Sequence, residues 1–592
     1  MRWLLMVPVV AVCLVPLLYG NAWACGGFFC DRSQPVDQAG EKILFLVDEA
    51  GGSVEAHIQI QYQGAAEDFS WVVPVPVAPR FDVGSDEVFA RLAYATQPRF
   101  TAGYEQRGGC EACGMWRDEE RTPPARPPWD SGGGGGGCGG GLIDGDADGD
   151  GEGVAVIDSG TVGPFEHVTL EATDSTALVT WLGENGYDLP ETAFPIIASY
   201  VESGSFFVAL KFTKDADEGE LVPIVLEMDG VDPCIPLRLT AIAAVEDMPV
   251  FAWVLGRSRA ISTTWLDVEP NDARLYAFDA NWPGAVAEAV DEVGGRAFAT
   301  EYAGRSEPFV DALSPANYDL GELLDAWNLE VLMGELGRQG FTGSQLLLSI
   351  LQEFAPPPAD VDATSFYNCP ADYVDDSYVW DHEGLVAALD DRIIRPLREV
   401  HAAFRREPYL TRLYTVISPS EMTEDPEFAM NPDAPDVPLV REARVVRDCQ
   451  GTMSPEDDYL ELTTPAGHRS CTDLGGIVWN FGDQIDTYVF IPELPRLPAI
   501  ERALQWSEAG PAVVVADEHD ATGSALPCDV PDTVGPLVCG PGEDPKPEPE
   551  PDPPGRMIPA GGGCSLVGRA AGPFGLVALA LALLALRRGG KR

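Results

Sequence analysis

Apolar and polar side chains alternate strictly in His57-Ile58-Gln59-Ile60-Gln61-Tyr62, the period of a half-buried strand. The run Lys42 to Asp48 lies upstream, separated from Val54 to Tyr62 by Glu49-Ala50-Gly51-Gly52, so the pattern predicts a hairpin. Phe69 to Val77 continues extended, but Pro74 and Pro76 have no amide hydrogen to give a neighbour, which predicts an edge position. Asp86 to Ala95 reads as a short helix. Phe165 to Ala172, Phe206 to Phe212, Val222 to Glu227, Leu237 to Ala244 and Val250 to Leu255 are apolar, β-branched or aromatic runs bounded by Gly, Pro or Asp. They predict a multi-stranded, mostly antiparallel sheet, with helices over Asp174 to Tyr187 and Pro283 to Val293 covering one face.

Beyond Asp319 the apolar spacing changes to three or four residues, over Leu320 to Leu336, Gly343 to Phe354 and Gly384 to Arg405. A smaller β-rich part follows, with strands expected at Arg441 to Arg447, Tyr459 to Leu462, Ile477 to Phe481 and Thr487 to Ile491. The fold class read from these patterns is α+β: a mostly antiparallel β-sheet body with covering helices, a helical subregion and a single C-terminal transmembrane helix. The boundaries are a signal peptide at 1–24, a β-rich domain at 25–305 with a Gly- and Asp-rich insertion at about 103–155, helices at 306–420, and the smaller β-rich region at 421–540. A Pro and acidic stalk at 541–563 and a tail at 564–592 complete the chain.

The ends determine where the chain is expected to reside. Arg2, the apolar run Trp3 to Leu18 and Ala22-Trp23-Ala24 have the order of a secretory signal cut before Cys25, which is preferred over lipidation of Cys25 itself. At the other end Ala570 to Leu586 is apolar and is followed by Arg587, Arg588, Lys591 and Arg592. As a helix it spans about 25 Å, a marginal membrane anchor whose cationic flank belongs on the cytoplasmic side. The body is thus expected in the envelope, outside the inner membrane.

A charge of -56, from 38 Lys plus Arg against 94 Asp plus Glu, repels phosphate backbones and anionic lipid, so nucleic-acid binding is disfavoured. With 45% hydrophobic residues the chain is still globular in composition, and the acidity reads as a solvated surface.

Export makes disulfides the default use of cysteine. Short bridges are expected for Cys25 to Cys30, Cys449 to Cys471 and Cys528 to Cys539, with a longer Cys234 to Cys369 pair. Cys110-x-x-Cys113 reads as a structural disulfide before a redox dithiol, and a four-thiolate zinc site shared with Cys25 and Cys30 is the rival use. Cys138, isolated in polyglycine, is the candidate odd thiol.

Asp144, Asp146, Asp148, Asp150 and Glu152 alternate with Gly or Ala, a spacing that suits a hard cation. Counted as an EF-hand loop it has Gly149 at position six but Ala155 where a bidentate Glu belongs, so calcium binding is weak at best and a solvated linker is the preferred reading. The histidines His57, His167, His382, His401, His468 and His519 form no recognised zinc spacing and read as surface or satisfied core residues. No nucleophile elbow, P-loop or dinucleotide turn is present.

Ala24-Cys25-Gly26-Gly27-Phe28-Phe29-Cys30, Phe69 to Pro76, Leu237 to Met248 and Ala289 to Phe298 resemble an uncharacterised secreted bacterial family, domain of unknown function 2330, over most of residues 24 to about 305, with further similarity around Tyr409 to Pro438. That family brings no activity, cofactor or catalytic residue. Gly563-Cys564-Ser565, a short apolar helix and Arg587-Arg588 resemble a myxobacterial C-terminal sorting tail (MYXO-CTERM-like). The resemblance implies a sorting protease that cuts near Cys564, lipidation of that cysteine and display at the outer surface. Arg569 departs from the pattern by shortening the apolar stretch. The sequence reading is therefore a surface-anchored structural, adhesive or binding protein of unidentified ligand. An exported hydrolase or redox enzyme is the alternative, favoured by a deep pocket with converging titratable groups.

Overall fold

The computed structural model describes residues 37–63, 70–108, 153–187, 189–212, 222–230, 232–276, 281–341, 344–375, 377–449, 459–473 and 497–526. Strands β1 (Asp37–Asp48) and β2 (Ser53–Gln63) form the expected antiparallel hairpin, with Ile43 opposite Ile58. Strand β3 (Ser70–Val75) lies at a sheet edge, as its prolines require, and β4 (Arg80–Val83) precedes helix α1 (Asp86–Ala95). Ser85 starts α1 by accepting from the Glu87 amide at 3.3 Å. Strands β5 (Arg99–Gly108), β6 (Val154–Val162) and β7 (Phe165–Ala172) follow, then helices α2 (Ser175–Glu184) and α3 (Phe194–Glu202). The chain continues through β8 (Phe206–Phe212), β9 (Ile224–Asp229), α4 (Leu237–Thr240), β10 (Met248–Gly256), β11 (Arg259–Ser262), β12 (Leu266–Pro270), α5 (Trp282–Glu292) and β13 (Ala297–Arg305).

The helical stretch comprises α6 (Leu320–Leu324), α7 (Leu329–Gln339), α8 (Gln345–Phe354), α9 (Ala363–Asn368), α10 (His382–Leu389) and α11 (Arg395–Arg406). Strands β14 (Tyr409–Ile417), β15 (Phe428–Asn431), β16 (Val440–Cys449), β17 (Tyr459–Thr463), β18 (Arg469–Asp473), β19 (Ile500–Gln505) and β20 (Val513–Asp517) complete the order with a short helix, His519–Ala525.

Ten strands make the central sheet in the order β20-β19-β12-β13-β14-β10-β1-β2-β9-β4, antiparallel except at β1/β10 and β12/β13. Smaller sheets run β3-β8-β7-β6, β18-β17-β16-β5 and β11-β15. The chain is thus a mixed α+β protein rich in antiparallel pairing. Its central strands are covered on both faces, which explains their continuous apolar runs. On β1, Ile43 and Phe45 enter one core with Val254 of β10, Val73 of β3 and Leu332 of α7. Leu44 and Leu46 point the other way, into a core with Trp253, Leu92 of α1 and Phe404 of α11. After the helices, β14 returns into the sheet between β13 and β10, with Tyr414 opposite Phe251.

Three expectations fail for local reasons. Leu237 to Ala244 is not a strand: Pro236 precedes α4, whose Leu237 and Leu239 are fully buried, and a short apolar run carries no period that separates buried helix from buried strand. The single helix expected over Leu320 to Leu336 is two, because Asn328 caps a new start by accepting from the Val331 amide at 2.8 Å. Residues 103–108, assigned to the insertion, belong to β5 and run parallel to β16, with Gly103 opposite Arg444.

Among the described residues no helix is long and apolar enough to cross a membrane, and the anchor expected at Ala570 to Leu586 lies outside them. So do the strands expected at Ile477 to Phe481 and Thr487 to Ile491.

Candidate functional site

A charged cavity of about 530 Å³ opens between β12, β19 and the segment leading into β16. Two of its acids are neutralised by pairing: Arg259 Nη2 donates to Asp267 Oδ2 at 2.6 Å, and Arg502 Nε donates to Glu269 Oε2 at 2.7 Å. The Thr300 hydroxyl also donates to Asp267, at 2.9 Å, and the Trp506 indole N–H does so at 3.0 Å. With Asp272, Asp433, Asp436 and Glu501 also in the lining, six carboxylates face three guanidiniums, the third being Arg441. Burial lowers the Arg441 pKa and raises those of Glu269 and Asp272.

Glu501, one of the lining residues, also meets two histidines from neighbouring elements that are not part of the lining. The turn between β17 and β18 closes through Gly467, whose φ of +95 suits a residue without Cβ, and Thr464 N–H donates to His468 C=O at 2.9 Å. This presents His468, 3% exposed, to Glu501 on β19, itself 5% exposed. His468 Nε2 lies 2.9 and 2.7 Å from the two Glu501 carboxylate oxygens. From the helix His519–Ala525, His519 Nδ1 contacts Glu501 Oε1, and the two imidazoles lie 4.4 Å apart between centroids. The hydrogen bond to Glu501 raises the His519 pKa. A carboxylate only accepts, so both ring nitrogens carry hydrogens in this arrangement.

Asn271 holds the elements together, its side-chain N–H groups donating to Pro498 C=O at 2.9 Å and the Thr522 hydroxyl at 2.7 Å. Beside it, Asp272 Oδ2 accepts from the Ala466 amide at 2.7 Å. Asp272 Oδ1 is buried without a hydrogen-bond partner among the described residues.

One donor atom each from His468, Glu501 and His519 lies within 4.8 Å of the other two, the composition and spacing of a metal-ligand set. The sequence reading missed this convergence because no local spacing encodes it: 33 residues separate His468 from Glu501, and 18 separate Glu501 from His519. Other histidines are occupied elsewhere, His57 Nε2 at 2.6 Å from Glu55 and His382 Nε2 at 2.9 Å from Leu323 C=O.

The carboxylates expected to hold calcium, Asp144, Asp146, Asp148, Asp150 and Glu152, lie outside the described residues. So do Cys25, Cys30, Cys110, Cys113, Cys528, Cys539 and Cys564. Cys471 is disulfide-bonded, its partner outside the described side chains. The expected Cys234 to Cys369 bridge is corrected: Cys234 is a free thiol in the wall of a small apolar cavity with Glu41 and Phe45, while Cys369 ends α9.

Fold and site together define an α+β protein with an acidic cavity and a histidine-carboxylate cluster that share Glu501. The chain matches, over residues 20–429, the family described as an uncharacterized protein conserved in bacteria (DUF2330), and it belongs to that family. The match runs through the helical stretch between the resembling segments and ends at residue 429, within the segment Tyr409 to Pro438. His468, Glu501 and His519 lie beyond the matched residues, whereas Asp272 lies within them. No curated protein and no solved structure matches the chain.

Proposed function

We propose that this chain is exported, held at the outer cell surface through its tail, and acts there as a binding protein whose ligand is a cation. The observation that carries the ligand class is the excess of carboxylates over guanidiniums around the 530 Å³ cavity. After the Arg259–Asp267 and Arg502–Glu269 pairs are set aside, four acids remain against Arg441. Calorimetric titration with spermidine, calcium and zinc, beside citrate and sulfate, tests the ligand class. At least one cation binds the wild type, and Glu501→Gln weakens it; binding of the anions alone contradicts the reading.

Surface retention is supported by the signal-like order at 1–24, the Pro and acidic stretch at 541–563, and Cys564 upstream of a marginal apolar run. In this reading a sorting protease removes Leu566 to Arg592, and acyl chains on Cys564 retain the body, since two chains anchor stably where one does not. Intact-mass measurement of surface fractions should show the shortened chain. Cys564→Ser should leave a larger species in the inner membrane, whereas an Arg587-Arg588 peptide on wild-type surface protein contradicts processing.

A further inference from the structure

We infer that the cation held beside this cavity is a divalent transition metal of the zinc class, ligated by Glu501 of the cavity lining together with His468 and His519. The inference rests on the cation reading above and narrows it to an ion and a donor set.

Ligand chemistry separates the candidate ions. Calcium and magnesium take six or more oxygens, whereas imidazole nitrogen with one carboxylate suits zinc and its neighbours. Two of the three convergent donors here are imidazoles. Zinc bonds of about 2.0–2.2 Å place tetrahedral donors roughly 3.3–3.5 Å apart. The 2.7 and 2.9 Å contacts from His468 to Glu501 therefore open by about half an ångström to admit the ion. His519 is the adaptable member, with its side chain 48% exposed, while the side chains of His468 and Glu501 are fixed by burial, only 1% and 7% exposed. Metal takes the place of the hydrogen that now bridges each imidazole to Glu501, so a neutral ring presents that nitrogen's lone pair by carrying its hydrogen on the other nitrogen, and an imidazolium does so by releasing a proton.

A second observation points to a bound cation. Asp272 is 9% exposed, lines the same cavity as Glu501, and leaves Oδ1 buried without a hydrogen-bond partner among the described residues. A buried acceptor in this state costs free energy unless something enters the cavity to meet it. Asp272 stands outside the mutually close donors. Its role is to accept a hydrogen bond from the water that completes the coordination, and so to orient that water. The donors include no thiolate, and imidazole and carboxylate persist in an oxidising envelope where a thiolate site is lost to disulfides.

The test uses the full chain, stripped with chelator, kept under non-reducing conditions and titrated calorimetrically with zinc chloride. Wild type should bind one ion at this site. His519→Ala, at an exposed position, should fold normally by circular dichroism and weaken binding by roughly 100-fold or more. His468→Ala should do the same. Asp272→Asn should keep the stoichiometry and weaken binding by about tenfold. Zinc affinity unchanged in folded His519→Ala overturns the inference, because the ion then sits elsewhere. Binding of calcium or spermidine without zinc also overturns it, and leaves the acidic-cavity reading standing. If no cation binds, both fall.

Discussion

His468 donates from Nε2 into the Glu501 carboxylate, 2.9 and 2.7 Å from its two oxygens, across 33 residues of chain. This contact seats the β17–β18 turn against the central sheet. In chelated protein, Glu501→Gln halves the acceptors available to the two imidazoles and should lower stability by about 1–3 kcal/mol, read from urea midpoints. An unchanged midpoint would show that the turn is held without it.

Glu41 makes stability depend on pH through burial. It lines the small cavity beside Cys234, Gln38 Nε2 donates to it at 3.2 Å, and burial pushes its pKa up to about 7 from 4.5. The folded state therefore holds this proton more tightly than the unfolded chain. The stability this confers is full below pH 4.5 and is lost as pH rises through about 7. Glu41→Gln should match wild type at low pH and exceed it above neutrality, by on the order of 3 kcal/mol at most. Denaturation midpoints measured across pH 4 to 8 decide this, and parallel curves for the two proteins would contradict it.

Glu301 and Arg412 form a buried ion pair, 1% and 5% exposed, beneath α1 and α5. Trp282 Nε1 donates to Glu301 at 2.5 Å, and Arg412 Nη1 donates to the Thr96 hydroxyl at 2.9 Å. Arg412→Leu strands the carboxylate and should lower unfolding free energy by about 3–5 kcal/mol. Adding Glu301→Leu should recover most of that loss in a double-mutant cycle. Additive losses would mean that the pair is not coupled.

How much was legible before the structure depended on whether the signal was local. The β1–β2 hairpin and the start of α1 were readable because alternation and a capping serine act within a few residues. Leu237 to Thr240 was not, since complete burial removes the polar side of any period. The α6–α7 break depended on a single capping asparagine inside an otherwise continuous apolar pattern. The candidate site was invisible because its three donors come from a turn, a strand and a helix that meet only once β19 joins the sheet.

Cys234 offers a chemical check on the packing. Burial raises its thiol pKa, so little thiolate exists at neutral pH. Iodoacetamide should label Cys234 slowly in native protein and rapidly in denaturant, as read by peptide mass spectrometry without reductant. A linked Cys234–Cys369 peptide would contradict the free thiol.

The most direct measurement on the site is anomalous diffraction at the zinc absorption edge from crystals of the zinc-loaded chain. The expected result is one peak bonded to His468, Glu501 and His519, with a water between the ion and Asp272. Peaks confined to other residues, with His468 still donating to Glu501, would contradict the central claim.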